Sequence, residues 1–458
     1  MNVSIIGAGY VGLVTGLCLA DRGHRIQCVD VDEERIDRLS KGILPIHETG
    51  LDDLLKQHLG GRFLPTGDVH AAVTESELTI IAVGTPVGHG AIDLSYVATA
   101  ARSVGEVLAR KDDYHVVLVK STVVPGTTDE LVRPVVEAHS GKRSGEHFGV
   151  GMNPEFLREG QAVEDFQKPD RIVLGADDSR SLTVMKRLYA DFGSTQLVCT
   201  NTRTAEMIKY ASNALLATMI SFSNEIGNMC AVAGGVDVVD VLGAVHLDKR
   251  ISPIAADGSR TTPAITSYLQ AGCGFGGSCF PKDVRALIHW SQDRDRPVRL
   301  LNAVLETNER QPHELIALLR RHFDDLRSLR VAVLGLAFKS GTDDVRESPA
   351  LRVIPELLRC GVIVSAYDPI ATNQARLALR DHSVFYAASL ETAVSDADAV
   401  MLLTGWPEFQ RLPELIRTRE TLPLVIDGRR VLDKTRVARY DGIGLSDQSI
   451  GRSVVAKH

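Results

Sequence analysis

The chain has 458 residues, 44% hydrophobic and 24% charged, a balance that fits a soluble globular protein and neither a disordered nor a membrane-spanning one. At about 100–200 residues per domain, this length holds two to four domains. A formal net charge of −7 gives no global basic field for a polyphosphate, so neither nucleic acid nor a membrane is expected as a partner. Seven cysteines, an odd number scattered from Cys18 to Cys360, make no disulfide framework, and without a Cys-x-x-Cys pair they do not suggest a metal site. Reduced thiols in a cytoplasmic protein are the expectation.

The apolar start, Ser4 to Ala20, has no basic leader and carries glycines at 7, 9, 12 and 16, so it is not read as a signal peptide. Strands are expected at Val3–Ile6, Arg25–Val31, Leu78–Val83, His115–Lys120 and Phe148–Gly151, with helices such as Asp32–Lys41, Asp93–Arg110 and Thr127–His139 between them. That alternation implies βαβ units and a parallel sheet. From Arg203 to about Val232, apolar residues at helical spacing predict one long helix, closed by Gly234-Gly235. Its polar positions Glu206, Lys209, Asn213 and Glu225 lie three or four apart in places, which reads equally as a solvated stripe or a functional face.

Leu247 to Ala271 has no period and reads as a loop, followed by helices near Pro281–Gln292 and Arg299–Arg321. At Arg330 the βα alternation restarts, with strands Val331–Leu334, Val362–Tyr367, Ala399–Leu403 and Leu424–Asp427 and a helix Pro349–Leu358. The fold class is thus α/β: two Rossmann-like doubly wound parallel-sheet domains joined by a helical middle with a long central helix. The expected domains are 1–200 for the dinucleotide, 201–325 for a helical part with a cysteine loop, and 326–458 for the second α/β part.

Gly7-Ala8-Gly9-Tyr10-Val11-Gly12 follows a strand and opens a helix with G-x-G-x-x-G spacing. The first glycine allows the tight turn, the second the approach of a pyrophosphate and the third close helix–strand packing, while the helix N-terminus faces the phosphates. Alone, such a turn could serve packing only. Asp30, 18 residues past Gly12 at the end of the second strand, can accept hydrogen bonds from ribose hydroxyls and would repel a 2′-phosphate, so NAD is expected rather than NADP. Arg35 either reaches the cofactor or is solvated.

Gly272-Cys273-Gly274-Phe275-Gly276-Gly277-Ser278-Cys279-Phe280-Pro281-Lys282-Asp283 sets a cysteine on a glycine-rich loop just before a helix. A helix N-terminus and a nearby lysine favour thiolate, the nucleophilic form. Taken alone, Cys279 reads as a buried inert thiol, as do Cys18, Cys28, Cys199 and Cys360. Beside a nicotinamide site it gains a use: the thiol captures an aldehyde made by a first hydride transfer, and a second transfer yields a thioester that water hydrolyses. An alcohol then becomes an acid by loss of four electrons.

These residues resemble the nucleotide-sugar 6-dehydrogenases, the family of the UDP-glucose and GDP-mannose dehydrogenases. The resemblance runs along nearly the whole chain, through Gly7–Gly12, Val83-Gly84-Thr85-Pro86, Lys120-Ser121-Thr122-Val123, Asn153–Gly160, Glu206–Tyr210 with Asn213, Gly276–Asp283, Gly335–Lys339 and Asp343–Pro349. It implies Cys279 as nucleophile, Lys209 and Asn213 as the pair holding the reacting oxygen, Asp283 assisting proton removal, Glu155 as the base that activates water, and Thr122 helping to hold that water. It places NAD against Gly7, Gly9, Tyr10, Val11, Gly12, Asp30, Arg35, Thr85, Thr122, Glu159, Lys282 and Arg346. It places the sugar nucleotide against Glu155, Phe156, Leu157, Arg158, Lys209, Asn213, Tyr268, Gly272, Gly276 and Lys339. A homodimer built on the long helix, or a higher homo-oligomer, is implied as well, which makes 201–325 the dimerisation domain and 326–458 the nucleotide-sugar-binding domain.

Gly335 and Lys339-Ser340 faintly suggest a phosphate loop, but only three residues separate glycine from lysine and no glycine precedes the lysine. For the substrate, Gly274–Phe280, Ala366-Tyr367-Asp368-Pro369 and Asp427-Gly428-Arg429 resemble the UDP-glucose branch, whereas Tyr268-Leu269 leans to the GDP-mannose branch; UDP-glucose is the expectation, with GDP-mannose or another UDP-sugar as alternatives. Arg250 to Tyr268 departs from the family by an apparent insertion around Asp257–Thr262, and Cys273 is assigned no role beyond filling space.

Overall fold

A computed structural model of the chain describes residues 1–88 and 91–446, so the last part of the third expected domain, residues 447–458, lies outside the described residues. Two compact units emerge: Met1–Ser212 with Arg285–Arg294, and Asn213–Val284 with the residues from Asp295 on.

In the first unit the β-branched runs form β1 (Asn2–Ile6), β2 (Arg25–Val29), β3 (Phe63–Thr66) and β4 (Leu78–Ile81), a short ribbon β5 (Val87–Gly88) with β6 (Ala91–Ile92), then β7 (His115–Val119), β8 (Phe148–Met152), β9 (Arg171–Ala176) and β10 (Gln196–Thr200). Apart from the ribbon they make one eight-stranded sheet in the order β10-β9-β8-β7-β4-β1-β2-β3. β4, β7 and β8 are buried along their whole length, as strands covered by helices on both faces must be. The helices are α1 (Tyr10–Asp21), α2 (Glu33–Ser40), α3 (Leu51–His58), α4 (Val69–Glu75), α5 (Ser95–Leu108), α6 (Arg133–Ser140), α7 (Ala162–Gln167) and α8 (Ser179–Leu188). One junction departs from the parallel pattern: β9 runs antiparallel to β8, with Gly151 opposite Ala176. The chain reverses its order across β1 and β4, the switch point at which α/β sheets bind ligands beyond their carboxyl ends.

The helix expected over Thr127–His139 begins as a wide turn, Thr128–Val132, in which the Arg133 amide bonds to the Thr128 carbonyl five residues back. Pro134 has no amide to extend a regular ladder at that point. The long helix α9 runs Thr202–Val232, 31 residues.

The second unit takes in α10 (Val238–His246), the first turn of α11 (Phe280–Gln292), α12 (Arg299–His322), and a six-stranded sheet of β11 (Arg330–Leu334), β12 (Ile363–Tyr367), β13 (Phe385–Tyr386), β14 (Ala399–Leu402), β15 (Leu424–Asp427) and β16 (Tyr440–Gly442). Its order, β13-β12-β11-β14-β15-β16, is parallel throughout and repeats the reversal of the first sheet, here across β11 and β14. The segment expected as a loop from Leu247 to Ala271 contains a single 3₁₀ turn, Ala264–Tyr268, and an antiparallel bridge between Ile254 and Arg260. Arg260 closes that insertion by donating to the carbonyls of Leu247 and Ser252.

Asp368, at the end of β12, fixes the loop after β11. One of its oxygens accepts from the amides of Leu336 and Ala337 and from the Trp406 indole, and the other from the amides of Ile370 and Ala371. Asp368→Ala removes the acceptor of these five donors and is expected to destabilise the second unit by about 3 kcal/mol, since hydrogen bonds to charged groups are worth ~1.5–3 kcal/mol each and buried donors left without partners carry a penalty. A thermal unfolding midpoint lowered by several degrees checks it.

Candidate active site

Gly7 sits at φ +108, where an added Cβ would fall 2.6 Å from the Ala82 carbonyl, and a Cβ on Gly12 would fall 1.8 Å from the Gly7 carbonyl; the turn admits only glycine at both. Gly9 is the opposite case, because a Cβ there would meet nothing within 4 Å. Gly9 also leaves the N-terminus of α1 without a side-chain cap, so its amides and the positive end of the helix dipole face outward. Asp30, at the end of β2, accepts from the Ala8 amide at 2.7 Å and pairs with Arg35 at 3.0 Å. An uncapped helix end, an open glycine and a carboxylate in this register fit a dinucleotide, with pyrophosphate at the turn and ribose towards Asp30.

Beside the turn, the Thr85 hydroxyl donates to the Thr122 carbonyl, joining the loops after β4 and β7. The Tyr10 hydroxyl donates to Glu48, a buried carboxylate that also accepts from the amides of Gly160 and Ala162. Tyr10 and the end of the 153–160 segment are thus held by one side chain, which the sequence reading did not single out.

Within that segment lies a buried ion pair. Lys209 Nζ donates to Glu155 Oε1 at 2.7 Å, with 4% and 6% of the two side chains exposed, and the other Glu155 oxygen accepts from the Leu157 amide at 2.7 Å. Burial pushes the Glu155 carboxyl up, but Lys209, the Leu157 amide and the more distant Lys120 together outweigh it and hold the group below its ordinary value. Phe156 lies against the pair, its ring centroid 5.7 Å from Lys209 Nζ and 4.1 Å from the Arg171 guanidinium. Arg158 turns instead to Asp165. Three residues before Lys209 on α9, Glu206 accepts from the amides of Gly126 and Thr128 and from the Thr128 hydroxyl, which anchors the wide turn after Thr122.

In the second unit Cys279 is half-buried and immediately precedes α11; its carbonyl accepts the Asp283 amide at 2.8 Å, the first bond of that helix. Asp283 is buried, accepts from Asn213 Nδ2 at 2.6 Å and lies 2.8 Å from Lys282 Nζ. Asn213, Lys282 and Asp283 therefore meet within one unit beside the cysteine's helix. The loop itself is braced from the second sheet's side: the Gly277 amide donates to the Arg346 carbonyl, Asn308 clamps the amide and carbonyl of Phe275, and Arg429 donates to the carbonyls of Gly274 and Phe338. Tyr268 packs on Phe280 with ring centroids 6.3 Å apart, and Lys339 lies over Phe338. The Gly272 amide donates to Asn224 on α9. Arg346 pairs with Asp344, and Cys273 is buried with its thiol on the Leu403 carbonyl, a packing position.

A switch-point dinucleotide turn with an acid after the second strand, carried on a mostly parallel sheet, and a thiol at a helix N-terminus near a hydrogen-bonded carboxylate are the features of an NAD-dependent oxidoreductase. The chain belongs to the UDP-glucose/GDP-mannose dehydrogenase family: the family's NAD binding domain matches residues 1–193, its central domain 203–310 and its UDP binding domain 332–434. The chain is 44% identical to UDP-glucose 6-dehydrogenase AglM of Haloferax volcanii, over 97% of this chain and 100% of that one. It is 40% identical to UDP-glucose 6-dehydrogenase TuaD of Bacillus subtilis, over 99% and 94%. The solved UDP-glucose dehydrogenase of Pyrobaculum islandicum superposes with a TM-score of 0.87 at 40% identity, covering 97% of each chain. The expected family, α/β fold and NAD dependence are therefore as the sequence reading had them. None of the described helices is long and apolar enough to cross a membrane.

Removing one partner of a buried ion pair leaves an uncompensated charge, so Lys209→Met is expected to destabilise the first unit by about 3–5 kcal/mol. Adding Glu155→Gln to it should recover most of that loss in denaturation experiments. Because the Glu155 carboxyl is held down, the pair's contribution is present above the ordinary carboxylate value and is lost as the pH falls through the lowered one.

Proposed function

We propose that this chain oxidises UDP-glucose to UDP-glucuronate in two successive hydride transfers, keeping the intermediate on Cys279. The observation that carries the reading is the placement of a half-buried thiol at the start of α11, one turn from Asp283, whose carboxylate Asn213 holds at 2.6 Å. A helix N-terminus favours thiolate, and the neighbouring Lys282 adds positive charge.

NAD, when bound, accepts the hydride. Gly7 to Gly12, with Asp30 and Arg35, would hold its pyrophosphate and adenosine ribose, and Thr85, Thr122, Glu159, Lys282 and Arg346 are assigned to the remainder of the cofactor. Lys209 and Asn213, four apart on α9, hold the sugar's C6 oxygen and stabilise its negative charge as it develops. Asp283 accepts the alcohol proton through water as the carbon loses hydride. The Cys279 thiolate then adds to the aldehyde carbon, and loss of a second hydride leaves a thioester. Water held near Thr122 adds to the acyl carbon, Glu155 takes its proton, the C–S bond breaks and the thiolate is restored. Overall one alcohol and one water become a carboxylate while two NAD are reduced. Phe156, Leu157, Arg158, Tyr268, Gly272, Gly276 and Lys339 are assigned to the sugar nucleotide.

UDP-glucose is preferred to GDP-mannose because the relatives named above at 40–44% identity bear that activity over essentially the whole chain. A homodimer is supported by α9, where Leu215, Phe222 and Met229, seven residues apart, are 53%, 51% and 55% exposed and form an apolar stripe that water disfavours. Seven free cysteines, one of them needed as a thiol, suit the reducing cytoplasm.

Two NADH released per UDP-glucose consumed is the expected stoichiometry; one would overturn the thioester route, and activity with GDP-mannose alone would keep the route and change the sugar. Cys279→Ala should abolish UDP-glucuronate formation. Phe222→Lys should shift the protein to the monomer in sedimentation, whereas an unchanged mass would remove this stripe from the interface.

A further inference from the structure

Lys120 directly follows β7 and precedes Ser121-Thr122, and the residue is buried, only 4% exposed. Its ammonium donates to Asn153 Oδ1 at 2.9 Å. Asn153 follows β8, its Oδ1 also accepts from the Tyr189 hydroxyl, and its Nδ2 donates to the Val173 carbonyl of β9 at 2.9 Å. The network therefore ties the carboxyl ends of β7 and β8 to the middle of the antiparallel β9, and two residues beyond Asn153 the chain presents Glu155. A lysine is an expensive group to bury, and hydrocarbon of the same length would fill the space. Tyr189 already supplies Asn153 Oδ1 with a neutral donor.

We propose that Lys120 is a positioning residue for the hydrolytic half of the reaction: through Asn153 it fixes the turn that carries Glu155, and its charge helps keep that carboxylate ionised. The inference rests on the reading of Glu155 as the base that activates water. The charged and titratable groups facing Lys120 are Glu155 on the loop after β8, Lys209 on α9 and the Tyr189 phenol after α8, with the Phe166 ring 5.9 Å away on α7. Burial draws the Lys120 ammonium down to about 8, Glu155 pulling it up and Lys209 pushing it down. Burial likewise raises the Tyr189 phenol, which remains a neutral donor. Near neutral pH the group is thus two cations about one carboxylate. Lys209 makes the direct contact that a reacting oxygen would compete for, and Lys120 keeps a positive charge near Glu155 when Lys209 is so engaged.

The test compares Lys120→Gln, Lys120→Met and Lys120→Arg with the wild type in the full-length enzyme with NAD and UDP-glucose. Gln keeps a donor for Asn153 without charge, Met keeps neither and Arg keeps both. For Gln and Met the inference expects a rapid burst of NADH, followed by turnover lowered by about tenfold or more, the scale on which a poorly set general base acts. A Cys279-linked acyl adduct should accumulate in acid-quenched samples by intact mass, with the KM for each substrate little changed. In the Gln variant the acid limb of the kcat profile should move to higher pH, because a carboxylate that loses a nearby cation is protonated more easily. Arg should restore turnover. A Gln variant with wild-type turnover and an unmoved acid limb would overturn the inference, as would loss shared by Arg with raised KM and no adduct, which marks a packing role. Glu155→Gln run in the same assay separates the two readings: if it accumulates no adduct the base assignment itself fails, and if it does while the Lys120 variants do not, only the role of Lys120 fails.

Discussion

A carboxylate withdrawn from water has to be met by cations and donors, and the 153–160 segment is arranged around that requirement. Glu155 is buried, so Lys209, the Leu157 amide and the charge of Lys120 together have to outweigh its desolvation. Lys209 can do so only if α9 is pinned in register, and Glu206, one turn earlier, supplies the pin by taking two backbone amides and a hydroxyl of the turn after Thr122. The far end of the segment is tied through Gly160 and Ala162 to Glu48, and from Glu48 to Tyr10 on the dinucleotide turn. One charge-pairing problem thereby connects the cofactor turn, the loop after β7 and the residue assigned to water activation.

Burial governed how much of this was legible in the sequence. The interior strands β1, β4, β7, β8, β11, β14 and β15 are mainly apolar because helices cover both faces, and each was read to within one or two residues of its observed ends. The strands that escaped notice are mostly sheet edges. β3 contains Pro65, tolerable there because an edge strand leaves amides unpaired; β10 is largely exposed; β13 and β16 are two and three residues long. β9 is interior and was also passed over, and its antiparallel pairing with β8 is a tertiary fact that no local pattern encodes. The same division holds for the site. Glycine spacing, Asp30 and the Cys279 loop announce themselves because their chemistry is local in sequence. Glu48, Lys120, Asn153 and Glu206 act on residues 33 to 114 positions away, and only a folded chain shows which amides and carboxylates they face.

The two sheets share the reversal of strand order at their centre and put the acid after the second strand of each to different uses. Asp30 accepts one amide from the glycine turn and one from Asp32, and its remaining strong contact is the partly exposed side chain of Arg35, which a ligand hydroxyl can displace or share. In front of it Gly9 keeps the backbone open. Asp368, the counterpart after β12, is 2% exposed and accepts five donors, more than the roughly four lone-pair sites of a carboxylate hold without sharing. It has no capacity left for a ribose. The loop it braces is closed as well: an added Cβ on Gly335 would lie 2.4 Å from Thr404, and both Leu336 and Ala337 are buried. The second sheet therefore keeps the strand order of a dinucleotide-binding fold without its binding turn. What that turn loses in ligand access it gains in bracing, and just beyond it the Phe338 carbonyl accepts Arg429, which in turn holds the cysteine loop at Gly274. An acid at the same place in the same fold can thus read a ligand in one unit and build a platform in the other, depending on how many backbone donors converge on it.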